Sequence, residues 1–170
     1  MSGVEIRPAR DVDLAVLIGT FGEADFFADR LVRQAGEHGV LLTAWDHDTP
    51  IGAVYVWKQA AEEVEVRQHL PGVPLLNHVQ VHSDYRNRRI GTELVIAAEK
   101  LLVDDGHSRV ALAVRTDNPD AYRLYERLGY KQWPHPPVEC QYYVRLPDGT
   151  RKRCVEICHM MVKPLRRSSA

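Results

Sequence analysis

A chain of 170 residues with 45% hydrophobic and 26% charged content is sized for one compact globular domain, expected over residues 1–165 with a polar tail at 166–170. Its formal net charge of -1 argues against a nucleic-acid binder that works by neutralising many phosphates, so any basic patch is local. Met1 to Arg10 has no apolar run fit for a signal peptide and no segment reaches membrane-spanning length, so a soluble, cytoplasmic protein with no nucleic-acid and no membrane partner is expected.

Val4 to Pro8 predicts a short first strand, and Asp11 or Asp13 is placed to cap a helix carrying Leu14, Val16, Leu17 and Ile18. Phe21 to Gly36 predicts a second helix. Val40 to Trp45 and Ile51 to Trp57 are β-rich runs joined by the turn chemistry of Asp46 to Pro50, and predict a hairpin. Lys58 to Pro74 holds Glu62, Glu63 and Glu65 and is broken by Pro71-Gly72-Val73-Pro74; it is expected to be an excursion between strands.

Leu75 to Val81 predicts the next strand, followed by a helix over Thr92 to Asp105 whose stripe is Leu94, Val95, Ala98, Leu101 and Leu102. Arg109 to Val114 gives another strand. The helix after it is punctuated by Asn118 as cap, Pro119 in its first turn and Gly129 past its end, with Ala121, Leu124, Tyr125 and Leu128 on its buried face. Glu139 to Leu146 and Cys154 to Lys163 predict two last strands around the turn Pro147 to Thr150. Dimerisation through these strands would cover an exposed edge.

The junction His82-Ser83-Asp84-Tyr85-Arg86-Asn87-Arg88-Arg89-Ile90-Gly91-Thr92 is the most informative stretch. A strand feeding a helix through small, polar and basic residues turns unpaired backbone N–H groups outward at the positive end of the helix dipole, which suits phosphate. Cys140, Cys154 and Cys158 show neither paired C-x-x-C elements nor zinc-type histidine spacing, so reduced, buried thiols and no metal are expected.

Two stretches together resemble the GNAT superfamily of acetyl-CoA-dependent N-acetyltransferases. Arg86-Asn87-Arg88-Arg89-Ile90-Gly91 falls on its central motif of Arg or Gln, two residues, Gly, one residue, Gly or Ala, with Arg89 standing where the family has its first glycine. Asn118 to Tyr130, containing Leu124-Tyr125-Glu126 and ending in Gly129-Tyr130, matches the later one. The resemblance implies an α+β fold: a GNAT-like three-layer α/β/α arrangement with a mixed, mostly antiparallel central sheet and a splayed cofactor-binding strand.

It also implies acetyl-CoA as cosubstrate. Arg86, Asn87, Arg88, Arg89, Ile90, Gly91 and Thr92 would hold its pyrophosphate, and guanidinium groups facing the ligand would add charge-assisted hydrogen bonds. Val79, Gln80 and Val81 would lie along the pantetheine arm, with the Val79 N–H stabilising the oxyanion. Asn118 would cap its helix and bond the cofactor, and Tyr125 would protonate the departing thiolate. The same residues also read more plainly, as a solvated basic turn, a buried strand and a core tyrosine.

The general base is not fixed by the resemblance. His78 is the first candidate, since it lies on the cofactor strand, although a strand histidine is as often structural. Glu23, Asp25, Glu62 and Glu63 could act through water, and with Glu65 they favour a cationic small-molecule amine. Trp45, Trp57, Trp133 and Tyr142 suit an aromatic wall or, for the tryptophans, plain core. The expected reaction is direct attack of a primary amine on acetyl-CoA in a ternary complex, without a cysteine intermediate. The competing readings are a non-catalytic acyl-CoA-binding sensor and a protein lysine or N-terminal acetyltransferase.

Overall fold

The computed structural model describes residues 3–166, which form eight strands and five helices. The strands are β1 (Val4–Pro8), β2 (Gly39–Asp46), β3 (Thr49–Trp57), β4 (Leu75–Val81), β5 (Arg109–Arg115), β6 (Lys131–Gln132), β7 (Val138–Arg145) and β8 (Arg151–Pro164). The helices are α1 (Leu14–Phe21), α2 (Ala24–Ala35), α3 (Val64–His69), α4 (Ile90–Asp104) and α5 (Pro119–Arg127). One sheet runs β1-β2-β3-β4-β5-β8-β6, with β7 paired to β8. Only β4 and β5 are parallel, as the α4 crossover between them requires.

Helices cover both sheet faces, which is why β3 is buried along nearly its whole length instead of alternating. On one face Leu42, Val54, Leu76, Leu112 and Met161 pack with Leu94, Val95, Ala98 and Leu102 of α4. On the other, Leu17, Phe27 and Leu31 of α1 and α2 pack on Leu41, Ala53, Tyr55 and Trp57, while Val66 of α3 joins Ala111, Trp133 and Met160. Each fully buried side chain of leucine or phenylalanine size contributes about 1.5–3 kcal/mol. Gly52 sets how close α4 comes: a Cβ there would lie 2.9 Å from Leu94 Cδ1 and 3.1 Å from the Gln80 carbonyl oxygen. The three-layer α+β fold and the mixed, mostly antiparallel sheet are those expected.

Several local expectations are corrected. The second helix, expected from Phe21, begins at Ala24: Phe21 closes α1, and Gly22 (φ 73°) and Glu23 (φ 55°) reverse the chain between the two. Neither aspartate caps α1 with its side chain. Asp13 is instead buried, accepts hydrogen bonds from Arg7 Nη1 and the Arg10 backbone at 2.8 Å, and closes a short 3-10 turn at Asp11–Asp13. Burial pushes its carboxyl up, but these bonds outweigh that and hold it down at about 2.

The β2–β3 turn is tighter than expected, with His47 left-handed at φ 55°. The excursion contains α3, and β6 was not anticipated; each is too short to show a period. α4 begins two residues before Thr92. β8 begins at Arg151, giving a longer final hairpin. In α5 no residue is fully buried, and Tyr122, rather than Leu124, joins Ala121, Tyr125 and Leu128 against the core. Trp45, Trp57 and Trp133 are core, while Tyr142 is exposed. Cys140, Cys154 and Cys158 are free thiols, of which only Cys158 is buried. Of the expected tail, residues 167–170 lie outside the described residues.

Candidate active site

The ladder between β4 and β5 ends almost where it starts, with Leu75↔Ala111 and Leu76↔Leu112 as its only pairs. From Asn77 onward β4 has no partner in β5, so backbone groups on that side are left to a ligand. Ala113 is exposed although β5 lies between two strands, which marks an open cleft in the sheet. The expected splay is therefore present beside Val79, Gln80 and Val81. The β3–β4 register slips between Ala53↔Gln80 and Tyr55↔Asn77, so β4 carries one extra residue there. His78 takes the left-handed bulge conformation, φ 61°.

At the end of β4 a second 3-10 turn, Ser83–Tyr85, leads into the basic loop. His82 Nδ1 accepts from the Asp84 N–H at 3.1 Å, and the Tyr85 hydroxyl donates to Asp46 Oδ2 at 2.8 Å, which ties the loop to the β2–β3 turn. Asn87 (φ 66°) and Arg89 (φ 61°) are both left-handed, so Arg89 adopts the backbone shape of the glycine it replaces. Ile90 is buried and seats the start of α4. Arg86, Arg88 and Arg89 are exposed, and none pairs with a carboxylate among the described residues; Arg88 lies over the Tyr85 ring at 5.1 Å. Four elements of an anion site coincide here: a helix start, left-handed turns, free guanidiniums and an unpaired strand.

α5 stands on the same face of the sheet as α4. Asn118 Oδ1 accepts from the Ala121 N–H at 3.2 Å, so its capping role is formed, and the side-chain amide N–H groups remain for a ligand. Tyr125 packs against Tyr130 with ring centroids 5.9 Å apart. The Tyr130 hydroxyl donates to Glu99 at 2.7 Å, whereas that of Tyr125 has no such partner among the described residues. Burial pushes the Tyr125 phenol up to about 12, so it stays protonated at any physiological pH.

The opposite face of the cleft has different chemistry. His78 Nε2 lies 2.7 Å from Glu23 Oε2, and the imidazole packs on Phe26 with ring centroids 4.5 Å apart. A proton donated from Nε2 to Glu23 leaves Nδ1 as the acceptor. Arg30 donates to Asn77 Oδ1 from Nη2 at 3.0 Å, and Asp29 pairs with both Arg30 and Arg33. Arg145, at the end of β7, donates to Asp25 Oδ2 at 2.8 Å, so the final hairpin reaches the start of α2. Glu63, at the start of α3, has its carboxyl raised by burial.

Of the expected base candidates, Glu23 and His78 are thus brought together, while Asp25 is occupied by Arg145. Arg30, Asn77, Phe26 and Arg145 were not anticipated. Only Phe26 and Arg30 had a visible signal, as i and i+4 neighbours on one helix face.

Residues 11–130 match the profile of the acetyltransferase (GNAT) family. A mycothiol acetyltransferase of Corynebacterium aurimucosum is 32% identical over 98 residues, 53% of this chain and 30% of that protein. An acetyltransferase of Sodalis glossinidius is 39% identical over 54 residues, 32% of this chain and 38% of that protein. The matched regions span about a third of these curated relatives. The ribosomal-protein-S18-alanine N-acetyltransferase of Escherichia coli superposes with a TM-score of 0.67 at 18% identity, covering 98% of this chain and 96% of that one. The PaiA N-acetyltransferase of Thermoplasma acidophilum, solved with coenzyme A, gives 0.66 at 17% identity, covering 96% and 99%.

Proposed function

The chain belongs to the acetyltransferase (GNAT) family, and from that premise we propose that it transfers acetyl from acetyl-CoA to a primary amine of a small molecule by direct attack in a ternary complex. The observation that carries this is the cleft between β4 and β5, with cationic groups on one side and the Glu23–His78 pair on the other.

The basic loop, Arg86 to Thr92, holds the pyrophosphate through the α4 start and the left-handed turns, and Asn118 adds side-chain hydrogen bonds. The free backbone of Val79 to Val81 pairs with the pantetheine amides. The Val79 N–H polarises the thioester carbonyl and stabilises the oxyanion as the amine attacks. An amine arrives protonated and must lose a proton first; His78 Nδ1 accepts it, and Glu23 orients the ring and stabilises the imidazolium. Tyr125 gives its hydroxyl proton to the leaving sulfur and is reprotonated, through solvent, by the second proton that the attacking nitrogen releases on becoming an amide; the burial that raises the phenol equally penalises a bare thiolate.

For the acceptor, the Asp25–Arg145 contact bridges α2 and the hairpin and favours a narrow mouth over an open peptide groove. The Glu23 carboxylate beside His78 favours a cation. The relative named for mycothiol also supports a small acceptor. Thiol release from acetyl-CoA against diamines, aminosugars, aromatic amines and peptides tests the reading, alongside calorimetric titration of CoA. Turnover on a small amine is expected. Turnover confined to peptides would make the acceptor a protein, and CoA binding without any turnover would make the protein a sensor.

A further inference from the structure

We propose that β7 is a self-complementary edge through which two copies of the chain join, pairing antiparallel about Tyr142 to continue the sheet across a two-fold axis. The hairpin of β7 and β8 projects beyond the main sheet, since β5 pairs with β8 only from Cys158 to Pro164. Two sheet edges are therefore open. The inner one, on β8, begins Arg151-Lys152-Arg153, a cationic run of the kind that discourages strand addition.

The outer edge, β7, has no such protection. Among the described residues it pairs only with β8, has no proline or bulge, and offers Tyr142, Tyr143 and Val144 at 43, 60 and 42% exposure. Ile157 and Val155, across the hairpin, are 49 and 44% exposed, so apolar surface lies on the projecting sheet well away from the core. Exposed apolar side chains beside a row of unpaired N–H and C=O groups form an association surface.

Charge identifies a second copy as the occupant. A two-fold axis perpendicular to the sheet keeps each face continuous, so directly paired residues must lie an even number of positions apart or coincide. Pairing centred on Tyr142 uses β7 from Glu139 to Arg145 and sets Glu139 opposite Arg145 of the partner subunit, twice by symmetry. Gln141 then faces Tyr143 of the partner subunit, and the two Tyr142 rings are adjacent. The strand's only two charges are equidistant from Tyr142 and opposite in sign. Arg145 holds Asp25 through Nε and the Gly149 carbonyl through Nη1, which leaves Nη2 for the second carboxylate.

Sedimentation equilibrium and light scattering on the full chain test this. Wild type is expected at twice 19.3 kDa, with dissociation on dilution. Glu139→Arg sets like charges opposite each other and is expected to weaken the dimer at least tenfold, as is Tyr142→Lys. Glu139→Arg combined with Arg145→Glu restores opposite charges and is expected to restore the dimer. Circular dichroism checks that each variant is folded. A wild-type monomer at high concentration would overturn the proposal, and so would a dimer that ignores both the single reversals and the exchange.

Discussion

Two turns flank the cleft, and they use one backbone device for opposite chemistry. Between β4 and α4, Asn87 and Arg89 are left-handed; between α1 and α2, Gly22 and Glu23 are. A left-handed L-residue costs about 1–2 kcal/mol, so each site holds a strained residue just before a helix. At the first turn the strained residue is an arginine among arginines, and at the second a glutamate beside an aspartate. Backbone shape alone does not separate the proposed cofactor turn from the proposed acceptor turn; the sign of the side chains does.

The comparison breaks hardest at Tyr125, which under the proposed function closes the reaction that both sides assemble. Tyr125→Phe is expected to lower kcat by about a hundredfold, the ordinary range for a lost general acid, with CoA affinity unchanged by calorimetry. Because burial holds the phenol up near 12, wild-type kcat should show no basic limb from this group below about pH 11. Full activity of the phenylalanine variant at saturating substrates would return Tyr125 to packing.

Gly91→Asp tests the cationic turn alone. A Cβ at Gly91 meets only Val81 Cγ2, at 3.6 Å, so the fold accepts a side chain there. An added negative charge beside the phosphates should then weaken CoA by about tenfold, the roughly 1–2 kcal/mol of one like-charge contact at a part-exposed site. Undiminished CoA affinity in a folded variant would move the phosphate site elsewhere.

Glu23→Gln tests the anionic turn alone and should be milder. It retains a hydrogen-bond acceptor for His78 but removes the charge, and half-exposed pairs of this kind carry up to about 1 kcal/mol. A fall of about fivefold in kcat with an unaltered CoA titration is expected. A loss of CoA affinity instead would show that the two turns are not separate sites.

The two turns also differ in how much of them can be read from sequence. Arg86 to Thr92 and Asn118 to Tyr130 are contiguous, so spacing, caps and the switch from strand to helix expose the cofactor side and most of the fold. The proposed acceptor side joins Glu23, Arg30, Asn77, His78 and Arg145, which come from separate elements and meet only through the sheet register. No local period encodes such a meeting. The boundary between α1 and α2 was misplaced as well, because the apolar pattern of Phe21, Phe26, Phe27 and Leu31 continues across Gly22. Asp13 misled for a related reason: its place suits a cap, but the distant Arg7 claims its carboxylate.

Arg89→Gly sharpens the comparison with the smallest effects, because it separates backbone from charge at one residue. Glycine removes the left-handed penalty of about 1–2 kcal/mol but frees the unfolded chain by about 0.5–1 kcal/mol. The net gain of about 0.5–1 kcal/mol corresponds to a rise in Tm of roughly 1–4 °C for a chain of this size. The guanidinium is lost at the same time, and an exposed charge near phosphate accounts for about two- to threefold in CoA affinity. Stability and affinity should therefore move in opposite directions, the pattern of a residue kept for its ligand at a cost to the fold. A lower Tm with unchanged CoA affinity would mean that Arg89 serves the fold, and the phosphates would then depend on the backbone N–H groups, Arg86 and Arg88.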